Sequence, residues 1–166
     1  NPDIISTVVK LKNQGLVQQG RYDHDIVGYN YRMTNVQAAI GVAQLAEVKK
    51  ILNLKCQIAD RYRSDLKGLV EFQVCDTQYC SNWINTVKFG SITKKKEVEK
   101  ALQSNNIEVR PGFPRVDKMP MYKDEPFLPV THELTDRLLC LPSYPSISED
   151  QQTRVIQTIT NIFKSK

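Results

Sequence analysis

Apolar residues recur at steps of three and four positions through the stretch from Thr34 to Leu66. This spacing places them along one face of an α-helix, as a stripe that a protein core buries. The stripe comprises Val36, Ala39, Ile40, Ala43, Val48, Ile51 and Leu52. Thr34 and Gln37 have the spacing of a capping box, which predicts that the helix begins there. Only Gly41 interrupts the pattern, so a continuous helix would extend about 50 Å and link two bodies or two subunits.

A polar and aromatic segment, RYDHDIVGYNYRMTN, runs from residue 21 into this helix. Before it, an apolar face within residues 3–12 predicts a short helix, and Gly15 follows as a stop signal. The loop between the two helices contains Gly20 and Gly28 as predicted turn points. A loop rich in polar and aromatic side chains that leads into a helix is a favourable place for a ligand contact.

Beyond Gly68 the pattern changes to short runs that are typical of strands, separated by helical stretches. The predicted elements are strands over 70–74, 83–89 and 107–113, a hairpin connection over 75–82, a helix that Thr93 caps, a proline-rich loop over 114–129, a short helix over 132–139, an extended segment over 140–145 and a final helix that Ser148 caps. Helices that cover one face of a small antiparallel sheet make an α+β arrangement. We therefore predict an α+β domain, with a linker in the long helix around residues 51–59.

Composition limits the classes of function. The chain has 166 residues, of which 40% are hydrophobic and 25% are charged, as in soluble globular proteins. No stretch approaches the roughly 20 apolar residues of a membrane span, and we expect a cytoplasmic protein without a signal peptide. The net charge is +5, and the basic run 94–96 lacks the interleaved aromatic residues of a nucleic-acid surface. Because the sequence starts without Met, we expect an excised fragment.

The sequence gives little indication of a metal site or of a catalytic nucleophile. The cysteines lack the spacing of metal ligands; they are Cys56, Cys75, Cys80 and Cys140. With His24 and His132 as the only histidines, we predict no metal site and reduced thiols. The sequence contains no dinucleotide-binding, P-loop, zinc-protease or hydrolase motif. From the residues alone, the prediction is a soluble α+β domain with one polar loop as its candidate site.

Four segments resemble, in order, the motifs of the DegT/DnrJ/StrS family of pyridoxal-phosphate (PLP) nucleotide-sugar aminotransferases. They are GYNYRMTNVQAAIGVAQL (28–45), IEVRPGF (107–113), MPMYKDE (119–125) and LCLPSYPSISEDQQTRVI (139–156). HDIVGYNYRM together with MPMYKD is most similar to the perosamine-synthase-like branch, which acts on a GDP-4-keto sugar. The resemblance extends through the whole chain.

The resemblance implies the aspartate-aminotransferase architecture, fold type I. Residues 1–50 would then end the large PLP-binding domain and begin the long helix, and residues 51–166 would form the C-terminal small domain. The resemblance further implies that the Schiff-base lysine lies upstream of Asn1. This chain would therefore contain no catalytic residue and would be inactive alone.

The resemblance also implies site residues in the polar loop. In the family, the asparagine of the GYN motif crosses a homodimer interface to hydrogen-bond the phosphate of the neighbour's PLP. This position is Asn30, and its alternative is a turn residue with positive φ. Arg32 is a second candidate for the cofactor phosphate or the sugar, and its alternative is a structural ion pair at the helix start. His24 and Tyr31 are candidate substrate contacts, with a structural hydrogen bond and interface packing as their respective alternatives.

Arg110 and Phe113 match positions that lie near the nucleotide-sugar in the family, which makes them further substrate-binding candidates. The family often has an aromatic pair followed by Tyr-Pro-Leu-His in this loop. The chain departs from that pattern, with Gly112, Pro114, Arg115, Val116 and Asp117 in those places. A ring and a histidine are thereby lost, and one positive and one negative charge are gained.

Two hypotheses of function follow. The first is the C-terminal portion of an aminotransferase that moves an amino group from glutamate to a keto nucleotide-sugar, for 4-amino-deoxysugar and surface-polysaccharide biosynthesis. It would act as a homodimer with a shared active site. The alternative is a non-catalytic PLP-binding sensor, or an interaction or dimerisation domain, with the same fold.

Overall fold

The computed structural model describes residues 1–17, 23–74, 80–122 and 128–164. The chain divides into two units, Asn1–Val48 and Lys49–Lys166, and each is described by itself. The predicted turn at Gly20 and most of the predicted hairpin connection, 75–79, lie outside the described residues.

The described part of the first unit contains two helices, α1 (Pro2–Lys12) and α2 (Asn35–Ala46). Asn1 caps α1, since its side-chain oxygen accepts a hydrogen bond from the N–H of Asp3 at 2.9 Å. At α2 the predicted capping box is confirmed. The N–H of Gln37 donates to the Thr34 hydroxyl, and the N–H of Thr34 donates to the Gln37 side chain. Local side-chain chemistry therefore fixes both helix starts.

The long helix predicted from Thr34 to Leu66 is interrupted at Glu47, and α3 begins immediately afterwards, over Val48–Asp65. At Glu47 ψ is −1°, and the N–H bonds to the carbonyl of Gln44, three residues back, as in a tight 3₁₀ turn. The prediction of one continuous helix is therefore wrong. The sequence places no glycine or proline at this point, so the break has no local signal.

The predicted apolar stripe is not buried. None of its seven residues is buried, and Val36 and Ile40 of α2 are 71% and 61% exposed. Burial begins farther along, at Ile58, Ala59 and Tyr62 of α3.

The second unit is built on an antiparallel sheet with the strand order β1-β2-β4-β3. Its strands are β1 (Glu71–Phe72), β2 (Asn85–Lys88), β3 (Arg110–Pro111) and β4 (Leu138–Leu141). Its helices are α3 with α4 (Ile92–Ser104), α5 (Pro129–Leu134) and α6 (Glu149–Lys164). The predicted α+β arrangement is confirmed.

Strand β4 replaces the end of a predicted helix. The pattern predicted a helix over 132–139, but α5 ends at Leu134 and a 3₁₀ turn covers Thr135–Arg137. Leu138 and Leu139 then pair with Lys88 and Val87 of β2. Pairing between segments far apart in sequence thus overrides the local helical pattern.

Helix α4 also begins earlier than predicted. Ser91, rather than Thr93, is its cap, because the Ser91 hydroxyl accepts the N–H of Lys94 at 3.1 Å. The predicted cap of α6 is confirmed, since the Ser148 hydroxyl accepts the N–H of Gln151 at 3.1 Å.

The core of the second unit lies between one sheet face and helices α3, α4 and α6. Val87, Phe89 and Leu139 contribute fully buried side chains from the sheet and its margin. The Tyr62 ring of α3 is also fully buried, and its hydroxyl donates to the carbonyl of Pro142 at 2.9 Å. Burial raises the pKa of the Tyr62 phenol well above its usual range.

Among the cysteines that the structure describes, Cys80 differs from the prediction. Cys56 and Cys140 are free, whereas Cys80 is disulfide-bonded. The prediction of reduced thiols is therefore wrong for Cys80.

Candidate functional site

The polar loop of the first unit is attached to the end of α1 by main-chain hydrogen bonds. The N–H groups of Tyr29 and Tyr31 donate to the carbonyls of Leu11 and Lys12, at 2.7 and 3.1 Å. The N–H of Gln14 returns a bond to the carbonyl of Tyr29 at 3.0 Å. The loop thus runs alongside the end of α1 like a short antiparallel ribbon.

Two glycines allow this close approach. Gly15 has φ of +75°, and a Cβ there would lie 2.0 Å from the carbonyl oxygen of Ile26. A Cβ on Gly28 would lie 2.1 Å from the nitrogen of Gly15. Both neighbours are backbone atoms, so only glycine fits at either position.

Asn30 and Arg32 present hydrogen-bond donors from the end of this loop. The Asn30 side-chain oxygen accepts a long bond of 3.4 Å from the N–H of Arg32, while the Asn30 amide NH₂ donates to none of the described residues. The Nε of Arg32 donates to the side-chain oxygen of Asn13 at 2.8 Å. This bond orients the guanidinium and leaves its outer edge exposed. Such an arrangement can receive an oxyanion.

The structure also bears on the alternatives for these residues. The non-glycine residues with positive φ in the described chain are Gln14, Asn82 and Asn106, so the alternative of a positive-φ turn at Asn30 is wrong. For Arg32, the contact at the helix start is a hydrogen bond to a neutral amide rather than an ion pair.

His24 and Tyr31 occupy different settings in the same loop. The Nδ1–H of His24 donates to the carbonyl of Gln14 at 2.8 Å, which is the structural hydrogen bond given as its alternative. The Tyr31 ring stacks on the Tyr29 ring, with 5.4 Å between centroids, and is 72% exposed. The Tyr31 face is therefore open to a ligand or to a partner.

An ion pair also joins the loop to α1, where Lys10 of α1 contacts Asp25. The hydrogen bond from Lys10 lowers the pKa of Asp25, and the positive charge of Lys10 acts in the same direction. The described part of the loop is thus held by polar contacts, and Gly15 is its only buried residue.

The structure separates the two predicted substrate residues of the second unit. Phe113 is 69% exposed and lines a cavity of about 880 Å³. Arg110 lines a different cavity of about 510 Å³, beside Trp83 and Tyr144. Its guanidinium is highly exposed, 3.7 Å from the carboxylate of Glu108. The described residues therefore do not bring Arg110 and Phe113 to one cavity.

The departures from the family pattern have physical counterparts. A Cβ at Gly112 would lie 2.5 Å from the Cβ of Leu138, so a ring at position 112 has no room in this chain. At position 117, where the family often has histidine, the Asp117 carboxylate lies 2.6 Å from Nε2 of His132. The Nε of Arg115 lies 3.5 Å from the other carboxylate oxygen. Sequence reasoning missed this cluster, because nothing in the spacing pairs positions 117 and 132.

The hydrogen bond from His132 lowers the pKa of Asp117 below its usual 3.8, desolvation opposes the shift, and the charge of Arg115 assists it. A carboxyl with a lowered pKa stabilises the fold above its unfolded-state pKa, and this contribution is lost as the pH falls through the folded-state value. We expect Asp117→Asn to be less stable than wild type at pH 7, with the difference shrinking as the pH falls below the ordinary pKa of 3.8. Denaturant unfolding at pH 7 and at a pH below 3.8 measures this.

Glu108→Gln serves as the control for Asp117→Asn, because Glu108 is 84% exposed in a surface pair. This variant should change stability little at either pH. An equal loss of stability by Asp117→Asn at both pH values would contradict the ionic contribution.

The described ranges lack the features of two other classes of site. Residues 1–17, 23–74, 80–122 and 128–164 contain no group of three or more metal-ligating side chains. Across the same ranges, no helix has the length and apolar content needed to cross a bilayer.

Comparison with known proteins identifies relatives over nearly the whole chain. A sequence profile of the DegT/DnrJ/EryC1/StrS aminotransferase family matches residues 1–160. The GDP-perosamine synthase of Vibrio cholerae is 39% identical, over 96% of this chain and 46% of its own length. The GDP-perosamine synthase of Escherichia coli O157:H7 is 34% identical, over 93% of this chain and 43% of its own length. The chain thus spans less than half the length of these relatives.

Solved structures share the fold. A DegT/DnrJ/EryC1/StrS aminotransferase from Brucella abortus superimposes with a TM-score of 0.84 at 23% identity, over 100% of this chain and 45% of that one. The aminotransferase TlmJ from Streptoalloteichus hindustanus gives 0.89 at 18% identity, over 99% and 46%. The predicted membership of the fold type I architecture is confirmed.

Proposed function

Because the chain belongs to the DegT/DnrJ/EryC1/StrS aminotransferase family, we propose that it is the C-terminal part of a PLP-dependent nucleotide-sugar aminotransferase. The intact enzyme would transfer an amino group from glutamate to a keto nucleotide-sugar, with a GDP-4-keto sugar as the first substrate to test. The observation that carries this proposal is the 39% identity to a GDP-perosamine synthase over 96% of the chain. The product would be a 4-amino-deoxysugar for surface polysaccharide, made in the cytoplasm.

In this proposal the chain supplies supporting rather than reacting groups. Residues 1–50 are the end of the large domain, residues 51–166 are the small domain, and the Schiff-base lysine precedes Asn1. PLP, when bound, supplies the electron sink that amino-group transfer requires.

The residues at the loop end fit the phosphate of PLP. A phosphate needs N–H donors, and the Asn30 amide and the outer edge of the Arg32 guanidinium are exposed donors two residues apart. The hydrogen bond from Arg32 to Asn13 orients the guanidinium before any ligand arrives. Asn30 would hold the phosphate and thereby fix the position of the cofactor ring.

A homodimer with a shared site accounts for the exposed apolar surface of the first unit. Ile4 and Ile5 of α1 are 62% and 63% exposed, and Val36 and Ile40 of α2 are more than 60% exposed. Large exposed apolar surfaces of this kind mark protein interfaces. We expect the remaining large domain and a second subunit to cover them, which would bring Asn30 to the neighbour's cofactor.

The test replaces Asn30 by alanine in the full-length enzyme. Losing a hydrogen bond to a charged phosphate should weaken PLP affinity about 10- to 100-fold. Equilibrium dialysis, followed by the visible absorbance of the retained cofactor, measures this. Asn53→Ala, at an exposed position of α3, is the matched control and should bind PLP as wild type does. Unchanged affinity in Asn30→Ala would remove Asn30 from the site.

Mixed dimers test whether Asn30 acts across the interface. Asn30→Ala subunits combined with subunits that lack the Schiff-base lysine should regain part of the wild-type transamination, because one site then has both groups intact. Failure to regain activity would place Asn30 and the lysine in the same subunit. A wild-type enzyme that binds PLP but transfers no amino group to any nucleotide-sugar would favour the non-catalytic sensor instead.

A further inference from the structure

The 880 Å³ cavity lies on the face of the sheet opposite the core. Val87 and Leu139 point into the core, so their neighbours Thr86, Lys88 and Leu138 lie on the other face, where they line the cavity. The segment from Gly112 to Asp117 also lines the cavity. A volume of this size accommodates a ligand as large as a nucleotide-sugar.

Arg115 gives this cavity a buried donor without an acceptor. Its side chain is only 10% exposed, and its Nε makes no hydrogen bond to any described residue. Asp117 does not satisfy it, since the 3.5 Å contact is an ion pair without hydrogen-bond geometry. A buried N–H without an acceptor is costly, and an acceptor in the cavity that Arg115 lines would remove that cost.

The charges around the cavity favour an anionic ligand. Arg63, Lys88 and Arg115 line it, against the carboxylates of Glu71 and Asp117. Lys88 is paired with Glu71 at 2.8 Å, and Arg63 donates to side chains of Asp60 and Asn82. These partners leave the guanidinium of Arg115 as the cation with an unused buried donor.

Asn85 is the other residue of the described chain with a buried side-chain nitrogen that lacks a hydrogen bond. It also borders the cavity, but the alternation of β2 places its side chain on the same face as Val87, toward the core. The Asn85 amide is therefore not assigned to the ligand.

We infer that Arg115 is a specificity residue, which donates to a phosphate oxygen of the nucleotide-sugar. This inference rests on the proposed function, because that function supplies a nucleoside diphosphate. The carboxylate of the amino donor is the other possible oxyanion. The size of the cavity and the exposed Phe113 ring on its wall, a surface on which a base can stack, favour the nucleotide. The charge of Arg115 would thus provide a ligand contact in a loop that has lost the ring and the histidine of the family pattern.

The test compares Arg115→Ala, Arg115→Lys and wild type in the full-length enzyme. The probes are GDP, UDP and dTDP, titrated by calorimetry, followed by KM for the nucleotide-sugar and for glutamate. We expect Arg115→Ala to raise the Kd of the preferred nucleotide and the KM of the nucleotide-sugar about 10- to 100-fold. The KM for glutamate should stay within about twofold. Arg115→Lys should lie between the two, since it keeps the charge and loses the planar fork.

Arg137→Ala is the matched control, because Arg137 lies outside this cavity, in a surface pair with Glu133. It should bind nucleotide as wild type does. If Arg115→Ala fails to fold, the nucleotide Kd and the KM values of Arg115→Lys are compared with those of wild type.

A folded Arg115 variant with wild-type nucleotide affinity would overturn the inference, as would a rise in KM for glutamate alone. Wild-type enzyme that binds none of the three nucleotides would overturn the proposed substrate class and the inference with it. Wild-type turnover with an unaffected Arg115→Ala variant would overturn the inference alone.

Discussion

Replacing Gly15 by alanine is expected to detach the polar loop from α1, with a loss of at least about 3 kcal/mol in the free energy that holds it closed. Two independent penalties combine. The φ of +75° is unfavourable for any residue with a Cβ, and that Cβ would lie 2.0 Å from the carbonyl oxygen of Ile26. A main-chain oxygen cannot rotate out of the way, so the loop itself must move.

Amide hydrogen exchange measures this opening directly. The N–H groups of Tyr29 and Tyr31 donate to α1 carbonyls, so their exchange should accelerate about 100-fold or more in Gly15→Ala. Gly41→Ala is the matched control, because Gly41 lies within α2 and a Cβ there has no neighbour within 4 Å. That change should stabilise α2 by about 0.5–1 kcal/mol. Equal protection of Tyr29 and Tyr31 in Gly15→Ala and wild type would show that the loop does not depend on this approach.

Removing the Tyr62 side chain is expected to have the largest effect on the second unit. The ring is fully buried and the hydroxyl donates to Pro142 at 2.9 Å. Tyr62→Ala leaves a cavity of aromatic size and should cost about 3–5 kcal/mol. Tyr62→Phe keeps the ring and leaves the Pro142 carbonyl without its donor, so it should cost about 1–2 kcal/mol. Denaturant unfolding of the full-length protein separates the two values.

Tyr144→Phe controls for the loss of a tyrosine hydroxyl at an exposed site. Tyr144 is 46% exposed and bonds to Gln151 at 3.1 Å, so its variant should stay within about 0.5 kcal/mol of wild type. Folding raises the pKa of the Tyr62 phenol above its ordinary value of 10.0. At pH values below 10.0 the neutral phenol therefore stabilises the fold. That contribution is lost as the pH rises through the folded-state value. A cost for Tyr62→Phe no greater than that for Tyr144→Phe would contradict a role for the buried bond.

The parts of the fold that the sequence predicts correctly are those with local causes. The capping pairs at Thr34 and Ser148 lie within three residues of their partners, so spacing alone identifies them. The motif at residues 28–45 identified the family for the same reason. By contrast, β4 depends on pairing with β2 some fifty residues earlier, and a local pattern cannot contain that information. The break at Glu47 likewise has no sequence signal, since no glycine or proline lies there.

In the candidate site, too, the residues of a local motif could be predicted and the contacts between distant positions could not. Asn30 and Arg32 could be named from the GYN motif, whereas the Asn13 side chain that orients Arg32 could not, because its contact joins positions 19 residues apart. Arg115 and Asp117 could be recognised only as departures from a family pattern. Their meaning depends on His132 and on a cavity wall, and both require the folded chain.

The attachment of the polar loop by main-chain atoms has a consequence for how the sequence of this loop could diversify. The bonds from Tyr29 and Tyr31 to α1 use N–H and carbonyl groups that every residue except proline provides. The side chains of Asp23, Ile26 and Val27 can therefore vary while the position of Asn30 is retained, provided that Gly15, Gly28 and the contacts of His24 and Asp25 are kept. A library that randomises these three positions should yield many variants in which the loop stays attached to α1. If Asn30 contacts PLP as proposed, the loop could then acquire new sugar contacts while that contact is kept.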